Sequence, residues 1–164
     1  MPVSTAEFRK ALGQFATGVT VVTVLRESGH YHGMTANSFT SVSLEPLQIL
    51  VCVDHRALTH SFVREQKRFG INVLAENQEP LARFFARPEQ DHATAKRLGA
   101  RFGLSERGTP LLDGCLVQLD CSLVSTFDAG DHSIFIGDVH SMKTNEGRPL
   151  LFHGGQYKRL DGTG

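Results

Sequence analysis

The pattern that most constrains this chain is a run of short apolar or β-branched stretches joined by turn residues, without regular strand–helix alternation. Residues 19–25, 31–35, 47–53, 69–74, 116–124, 133–142 and 149–152 read as strands. Turns are expected at Glu27-Ser28-Gly29, at Asp128-Ala129-Gly130-Asp131 and at Asn145-Glu146-Gly147. Within 116–124, Val117, Leu119, Cys121 and Leu123 alternate with Gln118, Asp120 and Ser122, the period of a strand with two unlike faces. The stretch 47–53 is apolar almost throughout and predicts packing on both faces, as in a barrel wall.

Three segments carry helical spacing instead. Ser4 and Glu7 have the separation of a capping box, and Phe8, Leu12 and Phe15 then predict an amphipathic helix over 4–16 with an aromatic face. Leu58, Phe62 and Val63 predict a helix over 57–66, with Asp54 or Thr59 as its cap. Pro80 suits a first helical turn, followed by Leu81, Phe84 and Phe85. Segment 88–108 is polar with a weak core signal, including one short helix over 93–98, and is expected to be mobile or to cover something. A doubly wound parallel sheet does not fit this order. The expectation is a mainly β fold, a small antiparallel barrel with peripheral helices.

Composition bounds the function. The 164 residues fit a single domain, 1–164, with 40% hydrophobic and 21% charged residues. Lys+Arg and Asp+Glu are both 17, which gives no reason to expect nucleic acid or an anionic membrane surface as partner. No apolar run approaches the roughly 18–20 residues of a membrane span, and Met1–Lys10 lacks a signal pattern. Cys52, Cys115 and Cys121 are odd in number and lie in apolar runs, as expected for reduced thiols in the cytoplasm.

The usual nucleotide motifs, G-x-G-x-x-G after a strand and G-x-x-x-x-G-K-[ST], are absent, and so is the hydrolase elbow G-x-S-x-G. What remains is a polar stretch, 33–46, in which Thr35, Asn37, Ser38, Thr40, Ser41 and Ser43 offer donors to a phosphate or heterocycle edge. The same residues also suit an ordinary Ser/Thr-rich loop. His30 and His32 could share a strand face, but no third ligand has metal-like spacing, so exposed turn histidines are expected and no metal. His55 and His60, beside a helix start, are expected to cap or line a surface. His132 follows a tight turn and leads an apolar strand, a rigid position near a barrel mouth. In His153-Gly154-Gly155-Gln156-Tyr157, two glycines allow close backbone approach and Tyr157 offers a ring for stacking.

Taken in order, Phe15-Ala16-Thr17-Gly18-Val19-Thr20-Val21-Val22-Thr23, Gly33-Met34-Thr35-Ala36-Asn37-Ser38-Phe39-Thr40-Ser41-Val42-Ser43, Cys52-Val53-Asp54, Phe69-Gly70-Ile71-Asn72-Val73-Leu74, Gly130-Asp131-His132 and His153–Tyr157 resemble the short-chain flavin reductases. These are the reductase components of two-component flavin-dependent monooxygenases, such as those acting on 4-hydroxyphenylacetate. The resemblance spans residues 8–157. It implies an antiparallel FMN-binding split barrel, a homodimer with flavin sites near the subunit interface, and FMN or FAD as cofactor.

By the same resemblance, Thr35, Ala36, Asn37, Ser38, Ser41, Cys52, Val53, Asp54, Ala57 and Phe85 would hold the flavin. His132, with His153, Gly154, Gly155, Gln156 and Tyr157, would hold NADH, or NADPH, as substrate. His132 would orient the nicotinamide as the catalytic group, and reduced flavin would diffuse to a partner monooxygenase. Two alternatives stay open: a flavin-dependent oxidase on the same barrel, and a flavin- or haem-binding module without turnover.

Overall fold

The computed structural model describes residues 1–26 and 28–161. Helix α1 (Thr5–Leu12) leads into strands β1 (Thr17–Gly18) and β2 (Thr20–Leu25). Strands β3 (Tyr31–Ala36), β4 (Phe39–Leu44) and β5 (Leu47–Asp54) follow, then α2 (Leu58–Gln66) and β6 (Arg68–Val73). A 3₁₀ turn runs into α3 (Glu79–Phe85), which is followed by α4 (His92–Arg97), β7 (Phe102–Leu104) and β8 (Pro110–Leu112). The long hairpin of β9 (Val117–Ala129) and β10 (His132–Thr144) precedes a short one, β11 (Leu151–His153) with β12 (Gln156–Lys158).

Strand order explains how the sheet closes. Seven strands pair antiparallel in the order β3-β2-β6-β9-β10-β5-β4, so the two edge strands, β3 and β4, are consecutive in sequence. Only Asn37 and Ser38 separate them. Three peptide units reach at most about 11 Å, so the sheet must curl until its edges nearly meet. The antiparallel barrel expected from the sequence is therefore present. Among the described residues, no helix is long and apolar enough to cross a membrane.

Two packed clusters lie on opposite faces of the sheet. One takes Val22 and Val24 from β2, Ile49, Val51 and Val53 from β5, Phe69 and Ile71 from β6, Leu119 and Cys121 from β9, and Phe135 from β10, with Val63 of α2 added. The other joins Val21 of β2 to Leu81, Phe84 and Phe85 of α3, Ala95 of α4 and Leu112 of β8. Strand β2 lies between the two clusters, which is why it is apolar on both faces. Full burial of a ring such as Phe69 or Phe135 contributes about 2–3 kcal/mol. Gly137, at a bulge in the β9–β10 ladder, makes room for Phe69: a Cβ there would sit 2.7 Å from Phe69 Cζ.

Several expectations need correction. Helix α1 stops at Leu12, and none of its residues is buried; Phe8, Leu12 and Phe15 face outward. Strand β5 is buried on one face only, through Ile49, Val51 and Val53. The stretch 33–46 is not a loop. It holds the end of β3 and all of β4, an edge strand held by pairing with β5 and not by burial. The cap of α2 is Ala57, without a side-chain hydrogen bond, because Asp54 accepts from the Arg56 N–H instead at 2.8 Å.

The expected turn at Glu27-Ser28-Gly29 includes Glu27, which lies outside the described residues. Segment 88–108 does act as a cover. Phe102 packs near Tyr31 and Phe85, and Asp120, buried on β9, accepts hydrogen bonds from Ser105 and Thr109 at 2.8 and 2.6 Å. That polar anchor explains why 88–108 and the residues after it need few apolar side chains to stay in place.

Candidate functional site

Strand β3 passes from one cleft to another. His32, Gly33 and Met34 line a cleft of about 530 Å³, which is closed by Asp54, the start of α2 and a strap running from Phe85 to Gln90. The next residues, Thr35, Ala36 and Asn37, line a cleft of about 170 Å³ with Phe152 and Tyr157. A third, of about 350 Å³, shares Asn37 and Phe152 and is walled by Phe8, Leu12 and Phe15.

The wide cleft is shaped by a close approach of backbone to ring. A Cβ on Gly33 would lie 2.6 Å from Phe85 Cδ1, so only glycine lets the ring pack there. The strap is pinned from above. Gln90 Nε2 donates to the Gly33 carbonyl at 2.7 Å, and Gln90 Oε1 accepts the Gly33 N–H at 3.3 Å. This amide pair satisfies part of the exposed β3 edge as a neighbouring strand would.

Polar groups at the cleft floor lack hydrogen-bond partners. Helix α2 has Ala57 as its cap, which offers no capping oxygen, so the Leu58 and Thr59 N–H groups have no intrahelical partner at the positive end of the helix dipole. Thr59, in the first turn, lines the same cleft, and its buried hydroxyl has no hydrogen-bond partner. An orphaned hydroxyl beside an uncapped helix start suits a phosphate. Arg56 is committed: Nη2 meets Asp54 Oδ2 at 2.8 Å, and Nε meets Oδ1 at 3.1 Å. These bonds hold the Asp54 carboxyl far below the usual carboxylate range. Arg87 also borders the cleft.

His32 is buried and not an exposed turn residue, because the inward face of β3 packs beneath α2 with Phe62 edge-on to the imidazole at 5.5 Å. Burial, reinforced by Arg26, holds its pKa down at about 4. His30, by contrast, is exposed.

The expected flavin residues divide between the clefts. Asp54, Ala57 and Phe85 line the wide one; Thr35, Ala36 and Asn37 line the narrow one. Thr35 Oγ1 donates to the Ala82 carbonyl at 2.7 Å, and Ser38 Oγ donates to the Cys52 carbonyl at 2.9 Å, so neither hydroxyl proton is free. Val53 points into the core, Cys52 is half-buried, and Ser41 is exposed on β4.

The expected nicotinamide residues are also apart. His132 sits opposite Asp54 in the β5–β10 ladder, its Nδ1 2.7 Å from Asp131 Oδ1. His153, Gly154, Gly155 and Gln156 form the β11–β12 turn, fastened to the end of α1 by Gly154 N–H donating to the Gly13 carbonyl at 2.8 Å. Tyr157 is held between Phe152, edge-on at 5.3 Å, and the Arg83 guanidinium, 4.8 Å over its ring. Sequence reasoning missed Arg87 and Gln90, considered His32 only as an exposed turn residue paired with His30, and considered Thr59 only as a candidate cap.

Comparisons with known proteins agree with this architecture. Residues 12–161 match the model of the flavin reductase like domain. An NADH-dependent flavin reductase from Rhodococcus is 42% identical over 161 residues, covering 97% of this chain and 88% of that protein. The crystal structure of BorF, the flavin reductase component of a bacterial two-component tryptophan halogenase, superposes with a TM-score of 0.87 at 40% identity, covering 98% of this chain and 100% of the other. The NADH:FAD oxidoreductase SgcE6 from Streptomyces globisporus, in complex with NAD and FAD fragments, gives a TM-score of 0.84 at 37% identity, covering 95% and 92%. With the motifs in order, the curled sheet and the paired clefts, this chain belongs to the flavin reductase family.

Proposed function

We propose that this chain is an NADH-dependent flavin reductase whose single domain, with its core over about 8–157, supplies reduced FMN or FAD to a partner monooxygenase. The observation that carries the binding part is the floor of the wide cleft: an uncapped α2 start beside the orphaned Thr59 hydroxyl, beneath Phe85. These groups would take the flavin phosphate, while Gly33, Met34 and Phe85 receive the flat ring. When bound, the flavin supplies a ring that accepts a hydride from the reduced nicotinamide and carries both electrons away.

The chain's own residues bind and orient. With Thr35 and Ser38 committed inside the fold, and the Ala36 carbonyl accepting from Thr20 Oγ1 at 2.7 Å, Asn37 is left to face the ligand. His132, half-buried beside Asp54, would orient the nicotinamide without moving an obligatory proton. Tyr157 has one face under Arg83, which Glu79 holds at 2.6 Å, and so presents its remaining face as a fixed platform.

A homodimer completes this reading. The outward face of Phe8, Leu12 and Phe15 borders Asn37 and Phe152, and a second copy of the chain laid on it would wall the narrow cleft. Three unpaired cysteines, two of them pushed up to about 12 by burial, suit a reducing cytoplasm.

Flavin titration followed by stopped-flow reduction with NADH and with NADPH tests the activity. Rapid loss of nicotinamide absorbance that requires FMN or FAD is expected, faster with NADH. No oxidation of either nucleotide with either flavin would sink the reductase reading.

A further inference from the structure

We propose that His55, His60 and Asp128 form a site for a divalent transition-metal ion of the zinc class. One ring nitrogen from each histidine and a carboxylate oxygen of Asp128 all lie within 4.8 Å of one another. They converge on the Ser133 hydroxyl, which is 3.2 Å from His55 Nε2, 2.8 Å from His60 Nε2 and 2.7 Å from Asp128 Oδ1. His55 Nε2 and Asp128 Oδ1 are 3.6 Å apart. Two ligands on a tetrahedral zinc ion, with bonds of about 2.0–2.1 Å, are separated by roughly 3.3 Å. Small side-chain movements toward the solvent side of Ser133 therefore suffice.

Packed elements already hold the three ligands. His60 stands on α2 with its ring 5.3 Å from that of Phe135, and His55 donates its backbone N–H to the Asp131 carbonyl at 3.0 Å. Asp128 faces Ser133 across the β9–β10 ladder. His55 and Asp128 are solvent-exposed, which leaves an entry path.

Two imidazoles and a carboxylate favour zinc, copper or nickel over magnesium or calcium, and leave a fourth position for water. Ser133 would keep its hydrogen bond to Asp128 and orient it. None of the three ligands lines the wide cleft. The site is a clip that fastens the turn bearing His132 to the start of α2.

The test uses the full chain, stripped with chelator and titrated calorimetrically with Zn²⁺, and loaded with Co²⁺ for its visible spectrum. One ion per chain, a tetrahedral Co²⁺ spectrum and a Zn²⁺-dependent rise in melting temperature are expected. His55→Ala and Asp128→Asn, both at exposed positions, should weaken uptake by roughly tenfold or more and abolish the thermal shift. His140→Ala, whose imidazole bonds Ser122 elsewhere, should leave uptake intact. Absence of stoichiometric uptake, or uptake unchanged in both ligand variants, would overturn the site.

Discussion

The two clefts that share strand β3 are made of opposite materials. The wide one has open donors: an uncapped helix start, and a hydroxyl that no protein group satisfies. The narrow one has aromatic rings, and the hydroxyl proton of its Thr35 is already committed to Ala82. Unpaired donors in a buried place favour a ligand that brings an acceptor, and the positive end of the α2 dipole favours an anionic one. Committed donors beside a clamped tyrosine favour stacking, which holds a ring without demanding one hydrogen-bond pattern. A reductase that must bring two nucleotides together and then release both is served by such a division.

The largest effect should come from the wall of the wide cleft. In Gly33→Ala the new methyl would meet Phe85 at 2.6 and 2.9 Å and Val21 Cγ1 at 3.0 Å. Overpacking at a buried site of this kind costs about 3 kcal/mol, read as a lower urea midpoint, together with weaker flavin binding. Phe85→Leu in the same chain should recover most of the loss, because the clash is with the ring. Equal losses in the single and double variants would mean that the cleft is not shaped by this contact.

His32 gives the next effect, and its sign is fixed by its surroundings. The folded chain keeps the imidazole neutral down to about 4, whereas the unfolded chain takes a proton below the ordinary 6.5. The unfolded state therefore binds more protons between those values, and stability falls as pH drops from 6.5 toward 4. With solvent screening the loss is up to about 2 kcal/mol. His32→Phe should flatten that part of the melting-temperature profile. A profile unchanged by the substitution would place the acid sensitivity elsewhere.

These two residues also show what the sequence could reveal. Apolar periodicity marks buried faces, so β2, β6 and the inward row of β9 were legible from Val, Ile, Phe and Leu alone. Strand β4 was not, because a bulge between Ser41 and Ser43 breaks its alternation: Phe39, Ser41 and Leu44 pair with the inward row of β5, Thr40 and Ser43 with its outer row, and most of them stay exposed. An edge strand held by backbone pairing has no hydrophobic period to read. The motif from Gly33 to Asn37 was legible as a site, but not as a wall shared by two clefts, since that depends on where α3 and the β11–β12 hairpin dock. The α1 face was legible as a helix, yet its spacing says nothing about what covers it. His32 looked like a turn residue because burial beneath Phe62 is a property of the packing.

Thr59 gives the smallest change in stability and the sharpest separation of the two clefts. Its hydroxyl is buried and unpartnered in the free chain, a state that costs about 1 kcal/mol or more. Thr59→Val keeps the shape and removes the polar atom, so the free protein should become more stable by about 1 kcal/mol. Flavin affinity should move the other way, weakening by about tenfold, the equivalent of one lost hydrogen bond to a charged group. Thr59→Ser, which keeps the oxygen, should bind flavin like the parent. A merely structural threonine would shift stability and leave affinity alone. A ligand-facing one must trade the first against the second, because the same unsatisfied hydroxyl that weakens the empty cleft is the group that grips the phosphate. If the valine variant binds flavin as tightly as the parent, the wide cleft loses its claim to the charged end of the ligand, and the contrast with the narrow cleft falls with it.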